Sequence, residues 1–287
     1  MRSTDPRRGA VLVTVLWSIS LLAALAMAAS VAFRSFTGVM TVDRHRVERE
    51  ALITAGLELA AGTMLNSNTA LRDVELSVNL TTGSVRVRLS DEGGRIDITK
   101  APAEVIASLL RSVGAPPATA DAAARAIVEQ RGTSNPAPRS PVPVPVPAVA
   151  TTHEQALSGI GRIVGMRAQW LGAIAPLTTI YGSETVNPLT APRGVIAALP
   201  GIDAAKVEAF LAERRNPSAD ASRLAQMLGP AARFVAEKPQ RVAAVDLMAT
   251  AGEGQPAAAR AVITVLPRDS EPYRVLVFTP MPAAGLR

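Results

Sequence analysis

The sequence predicts an α+β protein. A long N-terminal α-helix packs on an antiparallel sheet, and a mainly helical insert carries two repeated helix–turn–helix units. Three observations lead there. No proline interrupts residues 10–66. Strand-like segments lie far apart, at 74–90 and 260–279. The helical sequence between them repeats at an offset of 90 residues.

The N-terminal element comes first. Ala10 to Phe33 holds no charged residue over 24 positions and directly follows Arg7-Arg8-Gly9. A run of that length is enough to cross a bilayer as one helix. Arg2, Arg7 and Arg8 would hold its start on the cytoplasmic side, leaving everything after Phe33 outside. The competing reading is a cleavable signal peptide, with small residues at Ala24-Leu25-Ala26 and Ala28-Ala29-Ser30. Signal peptides have a shorter apolar core, roughly 7–15 residues, so a retained helix is expected. Beyond Arg34 the helical composition continues to about Asn66, with Phe36, Met40, Val47, Ala51, Ala55 and Leu59 on one stripe. A continuous helix over 10–65 would be about 84 Å long. Gly38 and Gly56 weaken the case for continuity.

A hairpin follows. Val74, Leu76, Val78 and Leu80 alternate with polar residues, as do Val85, Val87 and Leu89 across Thr81-Thr82-Gly83-Ser84. That alternation predicts two half-buried antiparallel strands, with a short strand at 95–98. Arg260–Leu266 and Tyr273–Thr279 predict a second hairpin that joins the same sheet. The expected organisation is a leader over 1–9, a helix over 10–66 (10–33 transmembrane), a sheet region over 67–98 and 242–287, and a helical insert over 99–241. Within the insert, helices are expected over 103–113, 118–131, 153–166 and 167–175. Six prolines between Pro136 and Pro147 exclude helix or central strand from 135–150 and predict an extended surface loop.

In the repeat, Ile96-Asp97 aligns with Val186-Asn187 and Ala101-Pro102 with Ala191-Pro192. Val105-Ile106-Ala107 aligns with Val195-Ile196-Ala197, and Leu109 with Leu199. Each copy passes through a glycine turn into a second helix ending in arginine, Arg131 or Arg214. This is a helix-hairpin-helix-like shape, whose DNA-binding versions aim turn N–H groups at a phosphate. Here Pro116-Pro117 remove donors and Asp203 puts a carboxylate where an anion would sit. A third turn, Gly159-Ile160-Gly161 before Arg162, suits an anion better. Helix packing is the expected role of these turns. A membrane-anchored or exported DNA-binding protein is the alternative reading.

Composition narrows the chemistry. The chain has no cysteine, which excludes disulfides, thiol catalysis and Cys-ligated zinc. Aromatics make up only 3%, so the core rests on Val, Leu, Ile and Ala. The net charge is +6, but the arginines are scattered and three lie in the leader, so no nucleic-acid partner is expected. Only His45 and His153 are available, and neither belongs to a His-Glu-x-x-His motif. No nucleophile elbow or phosphate loop occurs. Asp97 and Glu104 form an imaginable acid pair, but Asp97 reads better as the start of a turn before a helix. The chain is not expected to be an enzyme.

Taken with the leader and Ala10-Val11-Leu12-Val13-Thr14-Val15-Leu16-Trp17, the segment Asp91-Glu92-Gly93-Gly94-Arg95-Ile96-Asp97, Gly165-Met166 and Val186-Asn187 with Thr190-Ala191-Pro192 resemble one family. That family is protein K of the type II secretion system, a minor pseudopilin. The resemblance covers nearly the whole chain and implies a pilin-like N-terminal helix. It implies cleavage by prepilin peptidase after Gly9, leaving Ala10 as a mature N-terminus open to methylation. Pilin-like proteins carry Glu at the fifth mature position; here that position is Thr14, and protein K members resemble one another in lacking the Glu. The implied placement is a single-pass protein of the inner membrane, N-terminus cytoplasmic and head periplasmic. The implied role is to cap the pseudopilus tip and help start its assembly with minor pseudopilins I and J, engaging secreted substrates. Calcium is the one cofactor that the resemblance allows, and no metal residues are assigned.

Overall fold

The computed structural model describes residues 6–66, 71, 74–133, 152–216, 218–237, 241–252 and 256–282, apart from the side chains of 6–14, 31–45 and 132–133. The proline-rich stretch 135–150 lies outside the described residues. Helix α1, Pro6–Asn66, runs without a break, about 92 Å at 1.5 Å per residue. Among the described residues no helix is long and apolar enough to cross a membrane. This overturns the expected single-pass placement in the inner membrane and the transmembrane reading of 10–33.

The second half of α1 lies on a five-stranded antiparallel sheet. Its strands are β1 (Val74–Leu80), β2 (Gly83–Asp91), β5 (Val242–Ala251), β6 (Ala257–Val265) and β7 (Tyr273–Met281), in the order β1-β2-β5-β6-β7. The first hairpin turns more tightly than expected, through Thr81-Thr82, because Leu80 pairs with Gly83. Leu52, Gly56, Ala60 and Met64, four apart, face the sheet with Leu57 and Ala61 beside them. The expected stripe is therefore one position out of phase: Ala51 is exposed, and so is Val47. Phe36 and Met40 lie outside the described side chains. Gly56 sits where helix and sheet come closest. A Cβ there would stand 2.6 Å from Leu247 Cδ2 and 3.0 Å from Val85 Cγ2. The sheet's helix-facing side is low for the same reason, with Ala243, Ala249, Ala251, Ala259 and Ala261 among its buried residues.

Strand β5 lies in the sheet region expected over 242–287, though no separate strand is expected there; it is the centre of the sheet and joins the two hairpins. Cross-strand ion pairs mark the outer face of the sheet. Arg88 meets Glu75 opposite it on β1. Arg260 grips Asp246 opposite it on β5 with both ends of its fork, at 2.6 and 3.0 Å.

Between β2 and β5 the chain leaves the sheet and builds a helical head. It comprises β3 (Ile96–Asp97), α2 (Ala103–Ser112), α3 (Pro117–Thr133), α4 (His153–Gly161), α5 (Ala168–Ile174), β4 (Thr178–Thr179), α6 (Arg193–Ala197), α7 (Ala204–Arg214) and α8 (Ala221–Met227). The head has its own core, with Ile106, Leu109, Leu110, Ile196, Leu199 and Phe210 among its fully buried side chains. Helices α4 and α5 are shorter than expected, since Gly165 takes a positive φ of 87° and breaks the chain between them.

Candidate functional site

The join between sheet and head is held by a dense set of hydrogen bonds. Strand β2 ends at Asp91, and a 3-10 turn over Glu92–Gly94 swings the chain into the head. Asp91 caps that turn, accepting from Gly93 N at 2.7 Å. Its second oxygen accepts from Asn187 Nδ2 at 3.0 Å and from the Thr190 hydroxyl at 2.6 Å. The Gly93 carbonyl accepts from Asn187 N at 2.8 Å. Gly94 is pressed so closely on Thr190 that a Cβ would lie 2.8 Å from that residue's carbonyl carbon and oxygen. Glu92 is buried and accepts from Arg95 Nη1 at 2.9 Å and from the Thr179 hydroxyl. Burial pushes both carboxyls, Asp91 and Glu92, above their ordinary values. The Thr190, Gly93 and Asn187 donors offset part of this for Asp91, and Arg95 and Thr179 offset part of it for Glu92.

The two repeat copies have matching internal bonds. Asp97 is wholly buried; its side chain accepts from Thr99 N at 2.8 Å, and its backbone carbonyl accepts from Ala101 N at 2.8 Å. Ninety residues on, the Asn187 side chain accepts from Leu189 N at 3.1 Å and its carbonyl from Ala191 N at 3.0 Å. Arg131, at the end of α3, donates to the carbonyls of Ala101 (2.8 Å) and Ile98. Arg214, at the end of α7, donates to those of Ala191 and Pro188. Ile96 bridges in parallel to Thr178, and Val186 likewise to Val235. The first unit thus opens on a short strand and the second on a single bridge; each passes through a glycine of positive φ (Gly114 at 91°, Gly201 at 76°) and closes on a parallel partner. The closing partners Thr178 and Val235 lie outside the stretch where the sequences align, so the sequence gives no sign of them.

This arrangement assigns the repeat arginines to backbone carbonyls inside the head. Asp203 caps α7, accepting from Lys206 N at 2.8 Å, so the first-turn donor at that turn faces a carboxylate of the chain itself. Gly159 and Gly161 are not a turn; they belong to α4, and Arg162 follows as its C-cap. Asp97 and Glu104 serve separate partners, since Glu104 is exposed and pairs with Arg233 at 2.7 Å. They form no acid pair. Gly9, Ala10 and Thr14 fall within the backbone of α1, and their side-chain surroundings lie outside the described residues, as do those of His45. Among the described residues no group of three or more His, Asp or Glu is placed to hold a metal ion.

His153 lies on the wall of a cleft between the head and the sheet. Its Nε2 is 3.0 Å from Thr178 Oγ1, whose hydroxyl donates to the Ile174 carbonyl. Burial, and then the nearby Arg95, push the imidazole below its ordinary value, so it is neutral at pH 7. The cleft has a volume of about 560 Å³. Its floor is the sheet face away from α1 (Ala244, Val262, Val277, Thr279), and its wall is formed by α4 and Pro176. Nothing in the sequence places these segments together.

The sequence matches no protein-family model and no curated protein. Its fold is similar to that of a chain in the crystal structure of the GspK–GspI–GspJ complex from the type 2 secretion system of enterotoxigenic Escherichia coli. The TM-score is 0.53 at 13% identity, and the match covers 86% of this chain and 99% of that one. At that identity the likeness is one of fold, and it agrees with the α+β, pseudopilin-like architecture expected from the sequence.

Proposed function

We propose that this chain is a minor pseudopilin of a type II secretion system that caps the pseudopilus tip and helps to start its assembly. The observation that carries the reading is the fold likeness across nearly the full length of a chain from a three-pseudopilin complex. Two features of the chain agree with it. The apolar side chains of α1 from Val15 to Met27 stand in the open, with Trp17 73% exposed. An isolated helix with such a surface calls for neighbouring helices to cover it. The bulky head, set between β2 and β5, gives one end of the molecule a shape that blocks further stacking.

Thr14 fits the same role. A buried carboxylate in an apolar stem needs a cationic partner, such as the terminal amine of the subunit before it. The first subunit of a fibre has no such predecessor, and threonine leaves no charge to satisfy. Prepilin peptidase would cut after Gly9, making Ala10 the N-terminus and the substrate for methylation. Minor pseudopilins I and J are the proposed partners. Secreted substrates and calcium are further ligands that the reading admits.

Co-expression with the I and J subunits and with prepilin peptidase tests the proposal. The expected result is a complex holding one copy of each subunit, with mass spectrometry placing the N-terminus at N-methylated Ala10. An I–J pair that forms and excludes this chain, or a chain that still begins at Met1 beside active peptidase, would overturn it.

A further inference from the structure

Helix α4 is held to the head by little. It has 9 residues, below the ~12–15 that keep an isolated helix formed in water, so it depends on packing. Ile160 is its one buried residue, with Ala156 and Leu157 partly buried against the head core. Helix α2, at 10 residues, buries Val105, Ile106, Ala107, Leu109 and Leu110. A cavity lies on each flank of the narrow α4 contact. His153, Glu154 and Leu157 line the cleft over the sheet. Ala156, Gly159 and Ile160 line a second cavity of about 520 Å³, together with Ile127 and Arg131 of α3.

The two ends of α4 are suited to movement. After its last turn the connection over 162–165 stands in the open, with Val164 97% exposed and Gly165 at a positive φ of 87°. At its start, His153 makes the one hydrogen bond that ties α4 to another element among the described residues, to Thr178 of β4. The Thr178 hydroxyl donates to the Ile174 carbonyl, so the imidazole donates through Nε2–H and a second proton would go to Nδ1. Charging the ring in place is disfavoured by burial and then by Arg95, while Glu154 on α4 and Asp97 on β3 oppose this. Glu92, Tyr181 and Arg260 are the other titratable groups lining that cleft among the described residues.

We infer that α4 is a hinged strap: latched by His153 on Thr178, it lifts off about the 162–165 connection, joins the two cavities into one trough, and is released by acid. The sign follows from the ring. Its latched value lies below the ordinary 6.5, to which it returns on release. The latch therefore holds fully above pH 6.5 and weakens as pH falls through the lowered value. Once detached, so short a helix melts, and its own amides report the opening.

The test is amide exchange on the full chain, corrected for intrinsic rates. Amides of 157–161 should exchange about 100-fold faster than those of 107–112 in α2, since few buried contacts hold them. His153→Ala removes the latch and should speed exchange of 157–161 about fivefold, leaving 107–112 unchanged. His153→Gln keeps a donor for Thr178 and should retain most of the protection. Between pH 7.5 and 5.5 the protection of 157–161 should fall about threefold or more in the parent and stay level in His153→Gln. Glu92→Gln removes the other shifted carboxyl beside Arg95 and should leave that fall in place. The comparison of α4 with α2 needs only the unaltered protein, so it stands whether or not a variant folds. Exchange of α4 in step with α2, no change on His153→Ala, a pH effect that survives His153→Gln, or one that vanishes in Glu92→Gln would each overturn the assignment.

Discussion

Replacing Gly94 by alanine should loosen the head from the sheet, and the structure sets the size of the effect. Gly94 is absent from the glycines of positive φ, so alanine meets no backbone penalty there. The obstacle is contact: a Cβ would lie 2.8 Å from both the carbonyl carbon and oxygen of Thr190. Backbone atoms cannot swing aside as a side-chain tip can, so the 3-10 turn must back away by several tenths of an ångström. Overpacking of this kind costs about 1–3 kcal/mol. The shift also stretches two bonds, Asn187 N to the Gly93 carbonyl at 2.8 Å and the Thr190 hydroxyl to Asp91 at 2.6 Å. Each contributes about 1 kcal/mol. The expected loss is about 2–4 kcal/mol, or roughly 2–4 °C of melting temperature per kcal/mol for a chain of this size. Urea unfolding followed by Trp170 fluorescence in a Trp17→Phe background reports on the head, because Trp170 is buried there. Most of the loss should persist when Thr190 is also changed to alanine, since that removes the hydroxyl at 2.9 Å but leaves the carbonyl carbon and oxygen at 2.8 Å. The control is Gly62→Ala, where no atom lies within 4 Å. It should stabilise by about 0.5–1 kcal/mol through helix propensity. A Gly94→Ala protein within 0.5 kcal/mol of the parent, or one rescued by Thr190→Ala, would refute the contact argument.

Three further outcomes can be measured. Arg131→Ala and Arg214→Ala each strip the donors from two head carbonyls, so each should cost about 1–3 kcal/mol in denaturant titrations. Asp91 and Glu92 have folded values raised above the ordinary 3.8 and 4.5. Their stabilising contribution is complete below those ordinary values and is lost as pH rises through the raised folded ones. Relative to Glu92→Gln, the parent should therefore gain stability as pH falls from 7 toward 4.5; a parallel pair of pH profiles would contradict this. Gly56→Leu should lift α1 off β5, because a Cβ alone reaches 2.6 Å from Leu247. The expected cost is about 2–3 kcal/mol, with exchange of the central-strand amides accelerated.

Residues with a strong local pattern were readable from sequence. The β1–β2 hairpin follows from its alternation, and the duplicated Ala-Pro elements follow from simple self-comparison. Strand β5 was hidden by the feature that fits it to its place. Ala243, Ala249 and Ala251 let α1 approach closely, but alanine has little preference for strand. The same closeness explains Gly56, which looks like a helix weakness and serves as the contact point. The buried stripe of α1 lies one position from the expected one because apolar residues occur on more than one face of the helix. At the junction, Asp91-Glu92-Gly93-Gly94-Arg95 stood out as a motif. Its partners Thr179, Asn187 and Thr190 lie about ninety residues or more away along the chain, and nothing in a local pattern points to them. The cleft is assembled from α4, the β4 region and the far face of the sheet, so it exists only in three dimensions.

Asp91 and Ala243 are cross-strand partners, the last rung where β2 meets β5. The whole helical head therefore departs and re-enters across one rung, a gap of about 5 Å between neighbouring strands. A tight turn between those two residues would leave every other rung in register. Opening or closing such a loop depends only weakly on its length, about 0.6 kcal/mol per doubling. The head can thus grow, shrink or be exchanged over generations while the platform beneath it stays fixed.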